Sequence, residues 1–155
     1  MATDKRFLGT AAARRGMLGV TLLELMVVVV VVGVLAMIAV PSYRQYVQRA
    51  QRTEAKNALL QLQTNQERFY LANRTYGTVA QLVAANLLPA GGITERGTYQ
   101  IAIAANPAFV TGYTATATPR AGAPIDMTAD AQCTSFSITQ QSVRTATGTN
   151  APNCW

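Results

Sequence analysis

The sequence lacks histidine altogether, and its seven acidic residues are scattered along the chain. Histidine is the usual proton carrier near neutral pH and a frequent zinc ligand, so its absence excludes most general acid–base sites and most zinc sites. There is also no glycine-rich loop that could cradle a phosphate. Glu95, Asp126 and Asp130 are interpreted as solvated loop residues rather than as an acid pair or a calcium site. We therefore expect no enzyme activity, no catalytic residue, no metal and no cofactor.

Charge is missing from one long stretch near the N-terminus. Val20–Val40 holds 21 residues and a single charged side chain, Glu24. A helix rises about 1.5 Å per residue, so this stretch spans the roughly 30 Å hydrocarbon core of a bilayer. The six consecutive valines Val27–Val32 favour a strand in water. In lipid a single span must satisfy its backbone hydrogen bonds within itself, and the stretch therefore predicts a transmembrane helix.

Glu24 permits two interpretations when it is taken alone. It is either a residue favoured by the dipole at a helix start or an intramembrane acid with a specific partner. Its surroundings are the string GVTLLE (Gly19–Glu24) behind a short basic leader. This string resembles the class III signal of type IV prepilins. The resemblance implies that prepilin peptidase cleaves between Gly19 and Val20, that Val20 is then N-methylated, and that Glu24 forms an assembly salt bridge.

The same resemblance bears on the rest of the span. Gly33 and Pro41 fall where many pilins have residues that weaken the helix. The span contains no Lys or Arg, so the cation available to Glu24 after cleavage is an amino group of Val20. That amino group belongs either to the same subunit or, as the resemblance favours, to a neighbouring one. Val20 stands where Phe is commonest in the family. Cleavage after Gly16 is the competing possibility, but it would leave Glu24 too far from the new terminus.

The net charge of +6 is unevenly distributed. The leader carries +3, the region after the span up to residue 79 carries +4, and Ala80–Trp155 is neutral. Basic residues therefore flank the span on both sides, and charge alone leaves its orientation ambiguous. Cys133 and Cys154 are the two cysteines, and an even pair in an exported domain predicts a disulfide. That would place the leader in the cytoplasm and the head outside the inner membrane. Two free buried thiols in a cytosolic domain are the alternative.

Beyond Pro41 the hydrophobic period first stays helical and then changes to two. Between Ser42 and about Ala72 the pattern predicts an amphipathic helix with the apolar residues Tyr43, Val47, Ala50, Ala55, Ala58, Leu62 and Phe69. A short helix capped by Thr78 follows. Alternation from Thr98 onward predicts strands around Tyr99–Ile103, Tyr113–Thr118, Thr134–Ile138 and Ser142–Thr147.

These patterns predict an α+β fold, in which a long N-terminal helix packs on a small antiparallel sheet of three to four strands, as in type IV pilins. We expect a cleaved leader (1–19), a transmembrane and filament-core half of the helix (20–41), and an amphipathic half (42–75). A connecting αβ-loop (76–97) leads to a sheet head with a disulfide-bounded C-terminal loop (98–155).

The C-terminal residues refine the resemblance. Tyr113–Pro119, Asp130, Arg144 and the closing Cys154-Trp155 resemble the tails of PilE-like minor type IV pilins. The resemblance implies a structural subunit that is assembled into type IV pili and supports pilus biogenesis, adhesion and twitching motility. Its implied partners are other pilin subunits, prepilin peptidase and the inner-membrane assembly machinery. It would lie in the bacterial inner membrane before assembly and in the extracellular pilus afterwards.

Three alternatives remain. A DNA-uptake pilin has a closely similar sequence, but the neutral head supplies no basic face for phosphates, and we expect no nucleic-acid partner. A type II secretion pseudopilin shares the signal, although the late cysteine pair argues against it. A signal-anchored protein that never polymerises would also explain the N-terminal stretch alone.

Overall fold

A computed structural model describes residues 20–155. It contains a long helix α1 (Leu22–Asn73), a short helix α2 (Val79–Ala84) and single 3-10 turns at Ala90–Gly92 and Ala151–Asn153. The four strands are β1 (Tyr99–Ala105), β2 (Tyr113–Pro119), β3 (Ser135–Thr139) and β4 (Arg144–Thr147). The described residues divide into two units, one that ends at Val40 and one that begins at Pro41.

The strands form one antiparallel sheet in the order β1-β2-β3-β4. Such a meander needs only short connections, which the chain provides. Side chains alternate between the two faces, and the inner face is apolar and buried. It carries Tyr99, Ile101, Tyr113, Ala115, Ala117, Phe136 and Ile138. Together with α1 residues after Pro41 these side chains form one hydrophobic core, so the predicted α+β fold with four antiparallel strands is confirmed.

The buried face of α1 is offset from the predicted apolar stripe. Ala55, Leu59 and Leu62 are buried at helical spacing, as is expected for a helix that covers a sheet. Tyr43, which the predicted stripe includes, is 70% exposed, whereas Val47, Ala50, Ala58 and Phe69 are partly buried. The prediction was wrong at Tyr43 because the buried residues of α1 begin only at Gln51. The apolar pattern alone also could not show that the glutamines Gln51 and Gln66 face the core.

Those glutamines can be buried because their side-chain amides form hydrogen bonds. Gln66 donates through Nε2 to the carbonyl oxygen of Gly77 (2.7 Å), and its Oε1 accepts from the Gly77 backbone N–H (2.8 Å). Gln51 accepts through Oε1 from the hydroxyl of Thr98 (3.0 Å). Buried amides are tolerated when they are hydrogen-bonded. These three bonds join α1 to the segment that leads into the sheet.

That connecting segment begins as predicted. Thr78 caps α2 with a capping box, because its hydroxyl accepts from the backbone N–H of Gln81 (3.3 Å). The Gln81 side chain accepts in return from the backbone N–H of Thr78 (2.8 Å). Near its end, Gly92 has a φ of +69°, and a Cβ there would lie 2.8 Å from the carbonyl oxygen of Ile101. Only glycine fits this position.

Candidate functional site

The apolar segment of α1 exposes nearly all of its side chains. Between Val20 and Val40 every large hydrophobic residue is more than half exposed. Within residues 20–155, α1 is the one helix long and apolar enough to cross a membrane, with a mean hydropathy of 2.9 in its most apolar window. An uncovered apolar surface of this size requires lipid or other protein around it. The segment is therefore an interaction surface.

Glu24 lies in the first turn of this segment. The Thr21 hydroxyl accepts from the backbone N–H of Glu24 (3.2 Å), and the Thr21 carbonyl oxygen accepts from the N–H of Leu25 (3.1 Å). Thr21 thus caps the start of α1. In the part of the chain from residue 20 onward, no hydrogen bond or ion pair holds the Glu24 carboxylate. Glu24 is exposed, so a partner from another molecule can reach its carboxylate.

The remaining predicted residues of this region are placed as follows. Val20 is 67% exposed and precedes the first turn of α1. Gly33 and Pro41 both lie inside α1, and a Cβ at Gly33 would meet nothing within 4 Å. The weakening of the helix by these two residues stays a prediction. Gly19 and the leader lie outside the described residues.

In the head, Cys133 and Cys154 are joined by a disulfide bond. Both cysteines are buried, and their Cα atoms are 5.8 Å apart. The bond ties the last residues of the chain to the start of β3. Trp155 continues this attachment, since its indole N–H donates to the carbonyl oxygen of Thr145 in β4 (2.6 Å).

Asp130 joins the same loop to α1. Arg52 donates through Nε to Oδ2 and through Nη2 to Oδ1, both at 2.7 Å, which is a bidentate ion pair. Asp130 Oδ1 also accepts from the backbone N–H groups of Gln132 (3.1 Å) and Cys133 (3.4 Å). The interpretation of Asp130 as a solvated loop residue was wrong: its exposed fraction is 3%.

The pKa of Asp130 reflects two opposing causes. Burial alone would raise the pKa of this carboxyl, but the hydrogen bond and charge of Arg52 and the backbone hydrogen bonds of Cys133 and Gln132 together outweigh burial and lower the pKa below its usual range. The same carboxylate raises the pKa of Arg52. Asp126 differs, because it is exposed and its lowered pKa comes from hydrogen bonds with Thr128. The sequence contained one indirect signal for Asp130, its position three residues before Cys133.

Two buried tyrosines complete the head core. Burial raises the pKa of Tyr99 to about 12 and raises that of Tyr113 further still, so both are neutral at ordinary pH. Their hydroxyls have no hydrogen-bond partner within the described chain. Between residues 20 and 155 no group of three or more His, Cys, Asp or Glu residues could hold a metal ion. The described chain thus combines an uncovered apolar helix surface with a head that is stabilised by its own disulfide bond and ion pair.

Comparison with known proteins gives three findings. A family model described as "Type IV minor pilin ComP, DNA uptake sequence receptor" matches residues 41–137. No curated protein sequence matches the chain significantly. A solved structure of a type IV pilin from Shewanella oneidensis aligns with 18% identity over 70% of this chain and 97% of its own, with a TM-score of 0.45.

Proposed function

Because the chain belongs to the type IV minor pilin ComP family, we propose that it is a structural subunit that is processed by prepilin peptidase and assembled into type IV pili. The family match rests on residues 41–137 and is therefore independent of the GVTLLE string. It confirms the resemblance to minor type IV pilins. The family implies assembly with other pilin subunits.

The observation that carries the proposal is the uncovered apolar helix surface, whose one carboxylate, that of Glu24, has no partner among residues 20–155. Before assembly the bilayer covers this surface, because lipid chains solvate exposed valine and leucine side chains. After assembly the corresponding surfaces of neighbouring subunits cover one another. The apolar N-terminal helix supports membrane anchoring followed by pilus assembly. An inner-membrane location with the head on the periplasmic side is part of the proposal.

Processing creates the partner for Glu24. Cleavage between Gly19 and Val20 releases an amino group, which the peptidase then methylates. The leader (1–19) is removed, residues 20–41 form the filament core, and residues 42–75 continue α1 beneath the αβ-loop (76–97) and the sheet head (98–155). Glu24 of one subunit pairs with the amino group of Val20 on another, which fixes the axial register between them. The inner-membrane assembly machinery extracts the subunit.

Mass spectrometry of the mature protein tests this processing. We expect an N-terminal peptide that starts at Val20 and carries one methyl group. Replacement of Gly19 by a bulky residue should leave the full-length precursor in the membrane, whereas Gly16→Leu should mature normally. Maturation of the Gly19 variant, or arrest of the Gly16 variant, would place the cleavage site elsewhere.

DNA uptake is the second candidate function. The family description names a DNA uptake sequence receptor. Residues 41–155 carry nine Lys and Arg residues against five Asp and Glu residues, a net charge of +4. Five of these basic residues lie on α1, at Arg44, Arg49, Arg52, Lys56 and Arg68, and Arg74 follows directly after the end of the helix. Phosphate recruitment by such a helix needs no basic sheet.

A fluorescence-anisotropy titration of the mature chain in detergent with a short DNA duplex tests this candidate. Binding should weaken as salt is added, with a slope in log affinity of about −0.9 per phosphate contact. The double variant Arg68→Gln, Arg74→Gln should reduce that slope. Absence of binding at low salt would leave pilus assembly as the sole proposed function.

A further inference from the structure

The two flanks of α1 within the head carry opposite charge. On one flank a groove of about 380 Å³ runs between α1 residues from Ala50 to Gln61 and the segment Thr94–Arg96. Asn65 lies on the same flank and donates through its amide to the carbonyl oxygen of Leu87 (2.6 Å). Two carboxylates, those of Glu54 and Glu95, line the groove. We refer to it as the acidic groove.

Glu54 is only half satisfied within the chain. Its Oε1 accepts from the backbone N–H of Arg96 (3.1 Å), whereas its Oε2 is shielded from water and has no partner among residues 20–155. Arg96 also lines the groove, but it forms no ion pair with either Glu54 or Glu95, since the one ion pair in the described chain joins Arg52 to Asp130. A shielded carboxylate oxygen without a donor is costly. Among residues 20–155, neither Glu54 nor Glu95 is therefore neutralised by an ion pair.

The opposite flank carries unpaired cations beside aromatic rings. The Lys56 ammonium lies 5.9 Å from the centre of the Phe136 ring, and the Arg144 guanidinium lies 5.5 Å from the centre of the Trp155 ring. Phe136 and Trp155 contact each other edge to face, with their ring centroids 6.1 Å apart. Neither Lys56 nor Arg144 forms an ion pair in the part of the chain that the structure describes. We refer to Lys56 and Arg144 as the basic edge.

The acidic groove and the basic edge cannot meet within one molecule. Residues of α1 on the basic side face β4 and its turn, as the bond from Gln63 to the Ser142 hydroxyl (2.7 Å) shows. Glu54 faces the opposite side of the helix, toward Arg96. Complementary surfaces on opposite sides of one molecule pair head to tail between copies. Such heterologous contacts build rings or open helical filaments rather than closed dimers.

We propose that the acidic groove binds the basic edge of a second copy of this chain, with Lys56 or Arg144 pairing with the carboxylates of Glu54 and Glu95. The proposal rests on the proposed function and names the head surfaces that would meet in the assembly. Charge complementarity selects the partner and the register of the contact more than it sets the total affinity.

Photo-crosslinking of the full chain in piliated cells tests this contact. A photoreactive phenylalanine in place of Asn57, which is exposed and lines the groove, should give an adduct between two copies. Mass spectrometry should locate its far end near Lys56 or in Arg144–Trp155. The same residue in place of Thr64, which is exposed on α1 and does not line the groove, is the matched control and should not give this adduct.

Charge-reversal variants test whether the contact depends on opposite charges on the two surfaces. Glu54→Lys with Glu95→Lys should lower the adduct about tenfold or more, because like charges then face each other. A second, differently tagged copy with Lys56→Glu and Arg144→Glu should restore it. Glu54→Gln with Glu95→Gln removes both charges while the amide oxygen can still accept from Arg96. It should lower the adduct without changing thermal stability, which separates lost recognition from misfolding.

Three results would overturn the inference: an adduct with a different protein, an adduct that charge reversal leaves unchanged, or no adduct at Asn57. Incorporation of the wild-type chain into sheared filaments is measured in parallel. If the chain enters filaments and no groove adduct forms, the contact is wrong and the pilin function stands. If the chain does not enter filaments, the proposed function fails, while the adduct in whole cells still decides the contact.

Discussion

Two carboxylates of this chain lie in opposite surroundings. Asp130 is buried in the head, and Arg52 of the same chain neutralises it through two hydrogen bonds. Glu24 lies in the exposed apolar segment, and the chain from residue 20 onward offers it no partner. The head therefore satisfies its buried charge within one molecule, whereas the apolar segment needs other molecules to cover its surface and pair its charge. This difference separates residues that stabilise the fold from residues that serve assembly.

Loss of the Glu24 charge should give the largest effect. We expect Glu24→Ala to insert into the membrane at least as well as the wild type, because the span becomes more apolar. Its amount in sheared filaments should fall at least about tenfold, which corresponds to roughly 1.4 kcal/mol per subunit. Immunoblots of membrane and filament fractions measure both quantities. Glu24→Gln keeps the shape and should show a similar defect, whereas Glu67→Gln on the exposed face of α1 should not.

If both Glu24 variants entered filaments in the same amount as the wild type, the contrast between the two regions would disappear. Glu24 would then be only a residue at a helix start, held there by the dipole and by the Thr21 cap. The register between subunits would have to come from other contacts, such as those of the head.

Removal of the disulfide should give the largest effect within the head. The bond closes a loop between residues 21 positions apart, for which chain entropy predicts a stabilisation of about 3 kcal/mol. Cys133→Ser with Cys154→Ser should therefore lower the free energy of unfolding by about 2–5 kcal/mol. Denaturant titration of the mature full chain in detergent measures it, with reduced wild type as the matched control. An unchanged midpoint would show that other contacts hold the C-terminal loop.

Loss of the Asp130 charge should give a smaller effect in the same loop. Asp130→Asn keeps the shape but removes the charge that Arg52 binds, and hydrogen bonds to charged groups contribute roughly 1.5–3 kcal/mol. Arg52 can turn toward water in the variant, which limits the loss. The same titration measures the change, and Asp126→Asn, at an exposed position, should leave the midpoint nearly unchanged. Equal effects at Asp126 and Asp130 would contradict the internal role of the ion pair.

The sequence predicted those parts of the fold that depend on local patterns. The strands follow from alternation, and the Thr78 cap follows from its own side chain and that of Gln81. The Arg52–Asp130 pair could not be predicted because its members are 78 residues apart and each resembles an ordinary surface charge. The buried Gln66 was missed for a related reason, since its backbone partner Gly77 lies outside the helix.

For the candidate site, the sequence predicted the chemistry but could not supply its geometry. A lone carboxylate in an apolar run is costly, so the sequence alone identifies Glu24 as a candidate for a specific partner. The acidic groove depends on how α1 and Thr94–Arg96 lie side by side, which no local pattern encodes. The cleavage at Gly19 lies outside the described residues and stays a prediction.

The smallest expected effect concerns how the Asp130 pair responds to acid. The folded pKa of Asp130 lies below its unfolded value, which is near 3.8. The folded state therefore holds this proton less tightly than the unfolded state, and the pair stabilises the fold at pH values above about 3.8. This stabilisation is lost as the pH falls through the folded pKa. The difference in unfolding free energy between wild type and Asp130→Asn should thus be largest at pH 7 and shrink below about pH 4. Denaturant titrations of both proteins across this pH range measure the difference. Because both proteins contain Asp126, its contribution to the pH dependence is the same in each and cancels. A gap that stays constant down to the lowest pH would mean that the stabilisation does not come from the charge of Asp130, and the contrast with Glu24 would then not be one of charge.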